Sequence, residues 1–185
     1  MRIALLGNAG GGKSGLARFL AAAHGLPYTE IDALLWRTGW RTVPQAEFAE
    51  SHQRAIDADA WVIDGIGMQD FIESRLQRAT HIVLVDMPLW VHFTLAAERQ
   101  IAWARGDLRH PPAGLEDMPP TAALFETMWQ VDRDWMPGLR DQIAAQEKAG
   151  KKVLRLAALD QLTRAQENAR DGKDIFAAPP TKAAP

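Results

Sequence analysis

The sequence predicts an α/β protein in which a parallel sheet carries helices on both faces. Short apolar runs of strand length alternate along the chain with longer segments whose apolar residues recur at helical spacing. Such an alternation produces parallel strands joined by right-handed helical crossovers. The chain of 185 residues suits one core of this kind, so we predict a single domain over residues 1–175 and a disordered tail over residues 176–185.

The composition argues against several classes of protein. The formal net charge of −2 provides no general field that would hold a polyanion, so we expect no direct nucleic-acid binding. Cysteine is absent, which removes disulfides and thiol chemistry and agrees with a reducing compartment. No apolar stretch approaches the roughly 20 residues that a membrane-spanning helix needs. We therefore expect a cytoplasmic protein without a membrane segment, acting as a monomer or homodimer.

The first predicted strand, residues 1–6, leads into a glycine-rich loop. The loop consists of Gly7, Asn8, Ala9, Gly10, Gly11, Gly12, Lys13 and Ser14. A glycine, four free positions and Gly-Lys-Ser, placed between a strand and a helix, form the pattern of a phosphate-binding P-loop. The glycines allow successive backbone N–H groups to point into one concavity at the positively charged start of a helix. The alternative is an ordinary glycine-rich turn beside a surface lysine, which the flanking strand and helix disfavour.

The chemistry of such a loop assigns roles to its last residues. Lys13 would reach the β- and γ-phosphates of a nucleotide, and the Ser14 hydroxyl would bind Mg²⁺, which usually keeps several water ligands. Gly15 completes the predicted phosphate-binding stretch and opens a helix over residues 15–24. The apolar face of this helix is predicted to contain Leu16, Phe19, Leu20 and Ala23. We thus predict ATP and Mg²⁺ as the ligands.

The next segment contains candidates for binding a second substrate. A short strand over residues 28–31 leads to Asp32, which should lie at the carboxyl end of a strand, where ligands of parallel sheets bind. We predict that residues 33–43 are irregular. Within them, Trp36 and Trp40 would either stack on an aromatic acceptor or anchor the loop in the core.

A second acidic residue, Asp64, follows the apolar residues 61–63. Three apolar residues that end in Asp-Gly indicate a buried strand whose last acid emerges at the sheet edge. This is the arrangement of a Walker B aspartate, which would hold Mg²⁺ through water, and a turn-capping aspartate is the alternative. A short helix over residues 69–78 then carries Arg75, which would either hold an acceptor phosphate or cap its helix.

Residues 106–120 follow a predicted helix over residues 88–105 and contain four prolines and two glycines. An irregular connection of this length is usually functional or disordered, and we predict a lid. Phosphoryl transfer requires cations beside the equatorial phosphate oxygens. Arg99, Arg105 and Arg109 are the candidates by position, with solvated surface charges as the alternative.

The remaining pattern completes the alternation of strands and helices. Residues 81–86 are predicted as the fourth strand, in which four apolar residues lie between His81 and Asp86, as expected for a parallel strand covered on both faces. Residues 121–149 are predicted to be helical with a break at Pro137-Gly138, since proline cannot continue a helix without a kink. A fifth strand over residues 152–156 and a helix over residues 160–169 follow.

At several of these positions the chain resembles the adenylate-kinase-like branch of P-loop kinases. More narrowly, it resembles the bacterial DNA topology modulation proteins, a group of small predicted kinases. The shared motifs are the P-loop, Ile31-Asp32 with Trp36 and Gly39-Trp40, Pro44 with Glu47-Phe48, Trp61-Val62-Ile63-Asp64-Gly65, and Val85-Asp86-Met87-Pro88. Together these motifs cover most of residues 1–105.

This resemblance implies a three-layer P-loop NTPase fold with a five-stranded parallel sheet in the order 2-3-1-4-5. It also implies an acceptor site near Asp32 and Trp36 and an arginine-bearing lid around residues 99–110. The adenine ring of the nucleotide would pack near Ala157 and Ala158.

Two classes of function follow from these observations. The first is a kinase that moves the γ-phosphoryl group of ATP to a small acceptor, such as a nucleoside, a nucleotide or another hydroxyl compound. The second is a nucleotide-binding regulatory protein that switches by lid closure and hydrolyses ATP only incidentally. A GTPase is disfavoured because the chain lacks an Asn-Lys-x-Asp motif that would read guanine.

Overall fold

The central sheet contains five parallel strands in a computed structural model that describes residues 1–108, 110–112, 114–115 and 117–177. The strands are β1 (Arg2–Gly7), β2 (Tyr28–Glu30), β5 (Trp61–Asp64), β6 (His81–Val85) and β7 (Lys152–Leu156). Their order is β2-β5-β1-β6-β7, which is the expected order 2-3-1-4-5 when only these strands are counted. Because all five are parallel, their carboxyl ends meet at one edge of the sheet.

Eight α-helices connect and flank these strands in the described part of the chain. They are α1 (Lys13–His24), α2 (Ile31–Leu35), α3 (Gln45–Asp57), α4 (Ile72–Arg78), α5 (Leu89–Ala104), α6 (Thr121–Gln130), α7 (Met136–Lys148) and α8 (Leu159–Arg170). A 3₁₀ turn (Gln69–Phe71) precedes α4, and a π-helical turn (Val131–Trp135) joins α6 to α7. None of these described helices combines the length and apolar character that crossing a membrane requires.

The sheet separates two hydrophobic cores, which gives the predicted three layers. Side chains of β1 alternate between the faces, so Ala4 and Leu6 pack with α3, α4 and α7, whereas Ile3 and Leu5 pack with α1 and α8. All four side chains are completely buried. Truncating Leu5 or Leu6 to alanine would therefore cost about 2–5 kcal/mol of stability on one face.

The prediction of irregular structure over residues 33–43 is wrong. The segment contains the end of α2 and a small antiparallel hairpin formed by β3 (Trp36–Arg37) and β4 (Arg41–Thr42). Its turn places Gly39 at φ 76° and Trp40 at φ 55°. Strands of two residues are too short to show an alternating pattern, and a tryptophan at positive φ is not a turn signal.

The apolar face predicted for α1 is correct in part. Leu16 and Leu20 are buried as expected, but the stripe continues through Ala17 and Ala21, while Phe19 is 36% exposed. The reason is that α1 packs on the sheet and also against α8, and small side chains allow that second helix to approach. A prediction that assumes a single neighbour for α1 misses the side of the helix that packs against α8.

The break predicted at Pro137-Gly138 is correct only in part, because both residues lie within α7 and the helix is distorted before them without being interrupted. The chain remains helical, but the hydrogen-bond pattern widens into the π-helical turn (Val131–Trp135) just before the proline. A proline has no N–H to donate and its ring clashes with the carbonyl four residues earlier, which a wider turn relieves. The widened turn places Val131 and Trp135 on the wall of the main cavity.

Candidate active site

The P-loop turns sharply between β1 and α1 because its glycines adopt conformations that other residues avoid. Gly7, Gly10 and Gly12 have φ values of 139°, 72° and 68°. A Cβ atom on Gly7 would lie 2.2 Å from the carbonyl oxygen of Val85, and one on Gly10 would lie 2.4 Å from that of His92. These backbone oxygens cannot move aside, so the loop requires glycine at both positions.

Two side chains fix the loop to distant parts of the chain. The Asn8 amide nitrogen donates a hydrogen bond of 2.7 Å to the carbonyl oxygen of Met128 in α6. The His92 ring nitrogen Nδ1 lies 2.9 Å from the carbonyl oxygen of Ala9, with its tautomer set by that acceptor. The loop is therefore anchored to both α5 and α6.

Lys13 is buried at the start of α1, and only 8% of it is exposed. Its ammonium donates a hydrogen bond of 2.6 Å to the carbonyl oxygen of Asn8. Burial lowers the pKa of Lys13, whereas the nearby carboxylates of Asp64 and Asp32 raise it. The structure thus brings together the P-loop lysine and both acids that the sequence places at strand ends.

The carboxylates form a cluster at the ends of β2 and β5. Asp64 is 1% exposed and accepts a hydrogen bond of 3.0 Å from the Tyr28 hydroxyl. Burial raises the pKa of Asp32, which Lys13 lowers and Asp64 raises further. Burial, followed by Asp64 and Asp32, raises the pKa of Glu30 to about 7. Because these acids lie beside only one buried ammonium group, an added cation would stabilise their charged forms.

These residues fit a hydrated Mg²⁺ ion. The described chain has no group of three or more His, Cys, Asp or Glu side chains arranged to hold a metal. Magnesium, however, commonly takes only one or two protein ligands and completes its shell with water and phosphate oxygens. Ser14 at the start of α1 and Asp64 at the end of β5 would be these few protein ligands.

A cavity of about 1010 Å³ opens over the P-loop. Ligand cavities commonly measure about 300–1,000 Å³, so this one has room for a nucleotide and a second small molecule. The wall beside Gly12 is formed by α8 residues Leu159, Leu162, Thr163 and Gln166. The wall beside Asp32 includes Trp36, Trp40, Ile66 and Trp135.

The loop after Asp64 shapes the cavity wall beside Asp32. Gly65 and Gly67 have φ values of 107° and 76°, and a Cβ atom on Gly67 would lie 2.6 Å from Cγ2 of Ile31 and 2.9 Å from Cζ of Phe48. The loop therefore lies directly on the first residue of α2, next to Asp32. Glycine permits this close approach, which brings the two strand ends into one site.

Arg75 does not reach the cavity wall. It is 1% exposed, its Nη2 donates a hydrogen bond of 2.7 Å to the carbonyl oxygen of Ile66, and burial lowers its pKa to about 10. Its Nε and Nη1 atoms have no hydrogen-bond partner. Arg75 was predicted either to hold an acceptor phosphate or to cap its helix; in the structure its side chain braces the loop after Asp64 from behind the cavity wall.

The predicted lid arginines separate into different environments. Arg99 lies on the cavity wall, and its guanidinium carbon is 5.5 Å from the ring centroid of Trp103. It lowers the pKa of Lys13, as a nearby cation does. Arg105 is exposed at the end of α5 and away from the wall. Arg109 lies outside the described residues.

Ala157 also lies outside the cavity wall. Its N–H donates a hydrogen bond of 2.8 Å to the Gln161 side-chain oxygen at the start of α8. The neighbouring α8 residues Leu159 and Leu162 occupy the wall in its place. The segment after the fifth sheet strand thus reaches the cavity through the start of α8 and not through Ala157, and the adenine position stays a prediction.

Several residues of the site were missed by sequence reasoning. Glu30 precedes Asp32 by two positions and could have been noticed at the same strand end. Tyr28 and His92 carried no signal, since their roles depend on Asp64 and Ala9, which are distant in sequence. Trp135 was hidden inside a segment predicted as an ordinary helix.

Comparison with known proteins supports the fold. No family model matches the chain, and no curated protein matches it significantly. A gluconokinase from Sinorhizobium meliloti aligns over 92% of this chain and 90% of its own, with 16% identity and a TM-score of 0.54. A shikimate kinase from Aquifex aeolicus aligns over 76% and 98%, with 17% identity and a TM-score of 0.40. A sugar kinase from Janibacter sp. aligns over 75% and 96%, with 15% identity and a TM-score of 0.38.

The sheet order and the glycine-rich loop identify the fold of this protein as the three-layer P-loop fold. The five parallel strands, the order 2-3-1-4-5 and the first structural match agree on this point. At such low identity a structural likeness shows the fold alone. What the site does has to be argued from its own residues.

Proposed function

We propose that this protein is an ATP-dependent kinase that transfers a phosphoryl group to the hydroxyl of a small molecule. The observation that carries the proposal is that Lys13, Asp32 and Asp64 line one cavity, in which both carboxylates raise the pKa of the lysine. The resemblance of residues 1–105 to DNA topology modulation proteins supports it. The net charge of −2 supports a function that involves no direct nucleic-acid contact.

The P-loop half of the cavity would hold the nucleotide. Backbone N–H groups of residues 7–15 and the ammonium of Lys13 would bind the phosphates, and α8 would flank the base. Mg²⁺, held by Ser14 and through water by Asp64, would supply charge neutralisation at the phosphate oxygens. Arg99 would add a second cation from the opposite wall.

Asp32 would act on the acceptor. As the acceptor oxygen forms a bond to the γ-phosphorus and the bond to the β,γ-bridging oxygen breaks, Asp32 would take the hydroxyl proton, leaving ADP and a phosphorylated acceptor. The raised pKa of Asp32 makes its carboxylate a stronger base than a solvated aspartate. Lys13 lowers that pKa, which helps to keep the carboxylate ionised.

The charges on the described wall favour a hydroxyl acceptor over a nucleoside monophosphate. The cations there are Lys13, Arg18 and Arg99. Arg18 already forms an ion pair of 3.5 Å with Glu30, which leaves two cations for the nucleotide. An acceptor phosphate needs its own cation, whereas a hydroxyl needs a base, and Asp32 supplies one.

Acceptor-stimulated ADP formation tests the proposal. We would incubate the protein with Mg-ATP and a panel of nucleosides, nucleoside monophosphates, sugars and alcohols, and measure ADP. Lys13→Ala sets the background, and Lys152→Ala, on the exposed side of β7, is the matched control. Stimulation that is lost in Lys13→Ala and kept in Lys152→Ala is expected. Tight ATP binding without stimulation by any compound would favour the regulatory alternative.

A further inference from the structure

We infer that the acceptor is an uncharged molecule that contains both a flat ring and the reacting hydroxyl group. This inference rests on the proposed kinase function and specifies its second substrate. It follows from two independent properties of the wall beside Asp32, namely its aromatic surface and its charge. Both properties come from side chains that line the cavity.

Three tryptophans line the cavity that contains Asp32. Trp36, Trp40 and Trp135 all line the cavity, and they come from the hairpin and from the π-helical turn. The ring centroids of Trp36 and Trp40 are 5.7 Å apart with an angle of 60° between their planes. A flat ligand ring that stacks on the face of one indole could contact the other indole with its edge. Aromatic groups prefer such stacked and edge-to-face contacts.

Trp36 and Trp40 are each held by contacts within the chain. Trp36 packs against the hydrophobic core, and Trp40 forms an edge contact of 6.0 Å with Trp103. The Trp40 Nε1 atom donates its hydrogen bond to the carbonyl oxygen of Asp117. A rigid aromatic wall loses little side-chain freedom on binding, so a flat ligand gains most of the stacking energy.

The same wall disfavours negative charge. The acidic residues that line the described cavity are Glu30, Asp32, Asp64 and Asp70, against the three cations Lys13, Arg18 and Arg99. A nucleotide triphosphate would engage Lys13 and Arg99, and Arg18 is paired with Glu30. An acceptor with a carboxylate or phosphate would therefore add negative charge to a cavity that four acidic side chains already line.

Matched pairs of compounds test charge and ring separately. The pairs are thymidine with thymidine monophosphate, para-hydroxymethyl benzyl alcohol with para-hydroxymethyl benzoate, and sorbitol with gluconate as the pair without an aromatic ring. Binding to the full chain with a non-hydrolysable Mg-nucleotide would be followed by tryptophan fluorescence, and turnover with Mg-ATP by ADP formation. Mg-nucleotide binding alone is measured first.

In at least one ring pair we expect the uncharged member to bind about tenfold more tightly than the anionic member and to stimulate ADP formation. We expect both sugar-derived compounds to bind more weakly than that ring compound. Equal or tighter binding of the anionic members, or preference for sorbitol or gluconate, overturns the inference. So does the absence of binding by every uncharged ring compound when Mg-nucleotide binds normally. Failure of Mg-nucleotide to bind overturns the proposed kinase function as well.

Variants of Trp36 locate the effect on the aromatic wall. Trp36→Leu should raise the dissociation constant of the preferred ring compound about tenfold without changing that of Mg-nucleotide, since aromatic stacking is lost. Trp36→Phe keeps an aromatic face and should stay within about threefold of the wild type. Trp129→Leu, at an exposed tryptophan of α6 away from the cavity, is the control and should change neither constant. If Trp36→Leu bound the ring compound as tightly as the wild type does, the inference that the acceptor contains a flat ring would be overturned.

Discussion

The indole N–H of Trp40 donates a hydrogen bond of 2.8 Å to the carbonyl oxygen of Asp117. This bond joins the turn of the β3–β4 hairpin to the segment that leads into α6, across the mouth of the cavity. Gly39, which precedes Trp40, and Pro119, two residues after Asp117, line the same cavity. The hairpin beside Asp32 and the predicted lid are thus in direct contact.

Trp40→Phe should loosen this contact while it keeps an aromatic ring on the wall. Loss of one hydrogen bond should increase protease cleavage within residues 106–120 by about twofold to fivefold. Limited proteolysis with identification of the cut sites would measure this, with Trp129→Phe as the control. Mg-ATP should slow the cleavage if the segment closes over nucleotide, and equal rates in Trp40→Phe and wild type would show that the bond does not hold the segment.

Lys13→Ala should abolish stabilisation by Mg-ATP without unfolding the protein. A ligand at one hundred times its dissociation constant stabilises the native state by about 2.7 kcal/mol, or about 5–10 °C in unfolding temperature for a chain of this size. Thermal unfolding with and without Mg-ATP would show this shift for wild type and Lys152→Ala. The same shift in Lys13→Ala would place the nucleotide elsewhere.

Asp32→Asn should reduce kcat for a hydroxyl acceptor by about a hundredfold or more, because it removes the base and keeps the shape. Since burial raises the pKa of Asp32, wild-type kcat should fall as the pH is lowered through that raised pKa. The variant should lack this limb of the pH profile. A changed KM with unchanged kcat would instead assign Asp32 to substrate positioning and favour a phosphate acceptor.

Glu30→Gln should stabilise the protein more at about pH 8 than at about pH 5. The folded-state pKa of Glu30 is raised from 4.5 to about 7, so its contribution to stability is most favourable below about pH 4.5 and is lost as the pH rises through about 7. The difference should be on the order of 2–3 kcal/mol, or several degrees in unfolding temperature. Glu167→Gln on the exposed side of α8 is the control, and a pH-independent effect would contradict the prediction.

Gly10→Ala and Gly15→Ala form a matched pair within the P-loop region. At Gly10 the new Cβ meets a backbone oxygen at positive φ, so we expect a loss of about 3 kcal/mol or more and no nucleotide binding. At Gly15 it meets only the flexible end of Gln166 at 3.2 Å, and alanine is the better helix former. Gly15→Ala should therefore unfold at or above the wild-type temperature. Similar unfolding temperatures for both variants would contradict the close approach to His92.

Local patterns predicted the elements that position the site. The P-loop could be recognised because the phosphate-binding turn requires particular residues at fixed spacing within eight positions. Asp64 could be placed at a strand end because an apolar run and its last polar residue are adjacent in sequence, and Asp32, expected at the end of β2, lies just beyond it in the first turn of α2. The helix distortion before Pro137 followed from the missing N–H of proline. Each of these features depends on a residue and its immediate neighbours.

The roles of Glu30, Arg75 and Trp40 were decided only by the tertiary structure. Glu30 has a raised pKa because folding buries it beside acids of two different segments, and Arg75 is buried because the loop after Asp64 bends back over its helix. Trp40 contacts Asp117, which lies far away in the sequence. Burial and electrostatic coupling depend on which segments meet in space. The sequence alone therefore determined which chemical groups the chain carries at its strand ends, and folding determined their environment.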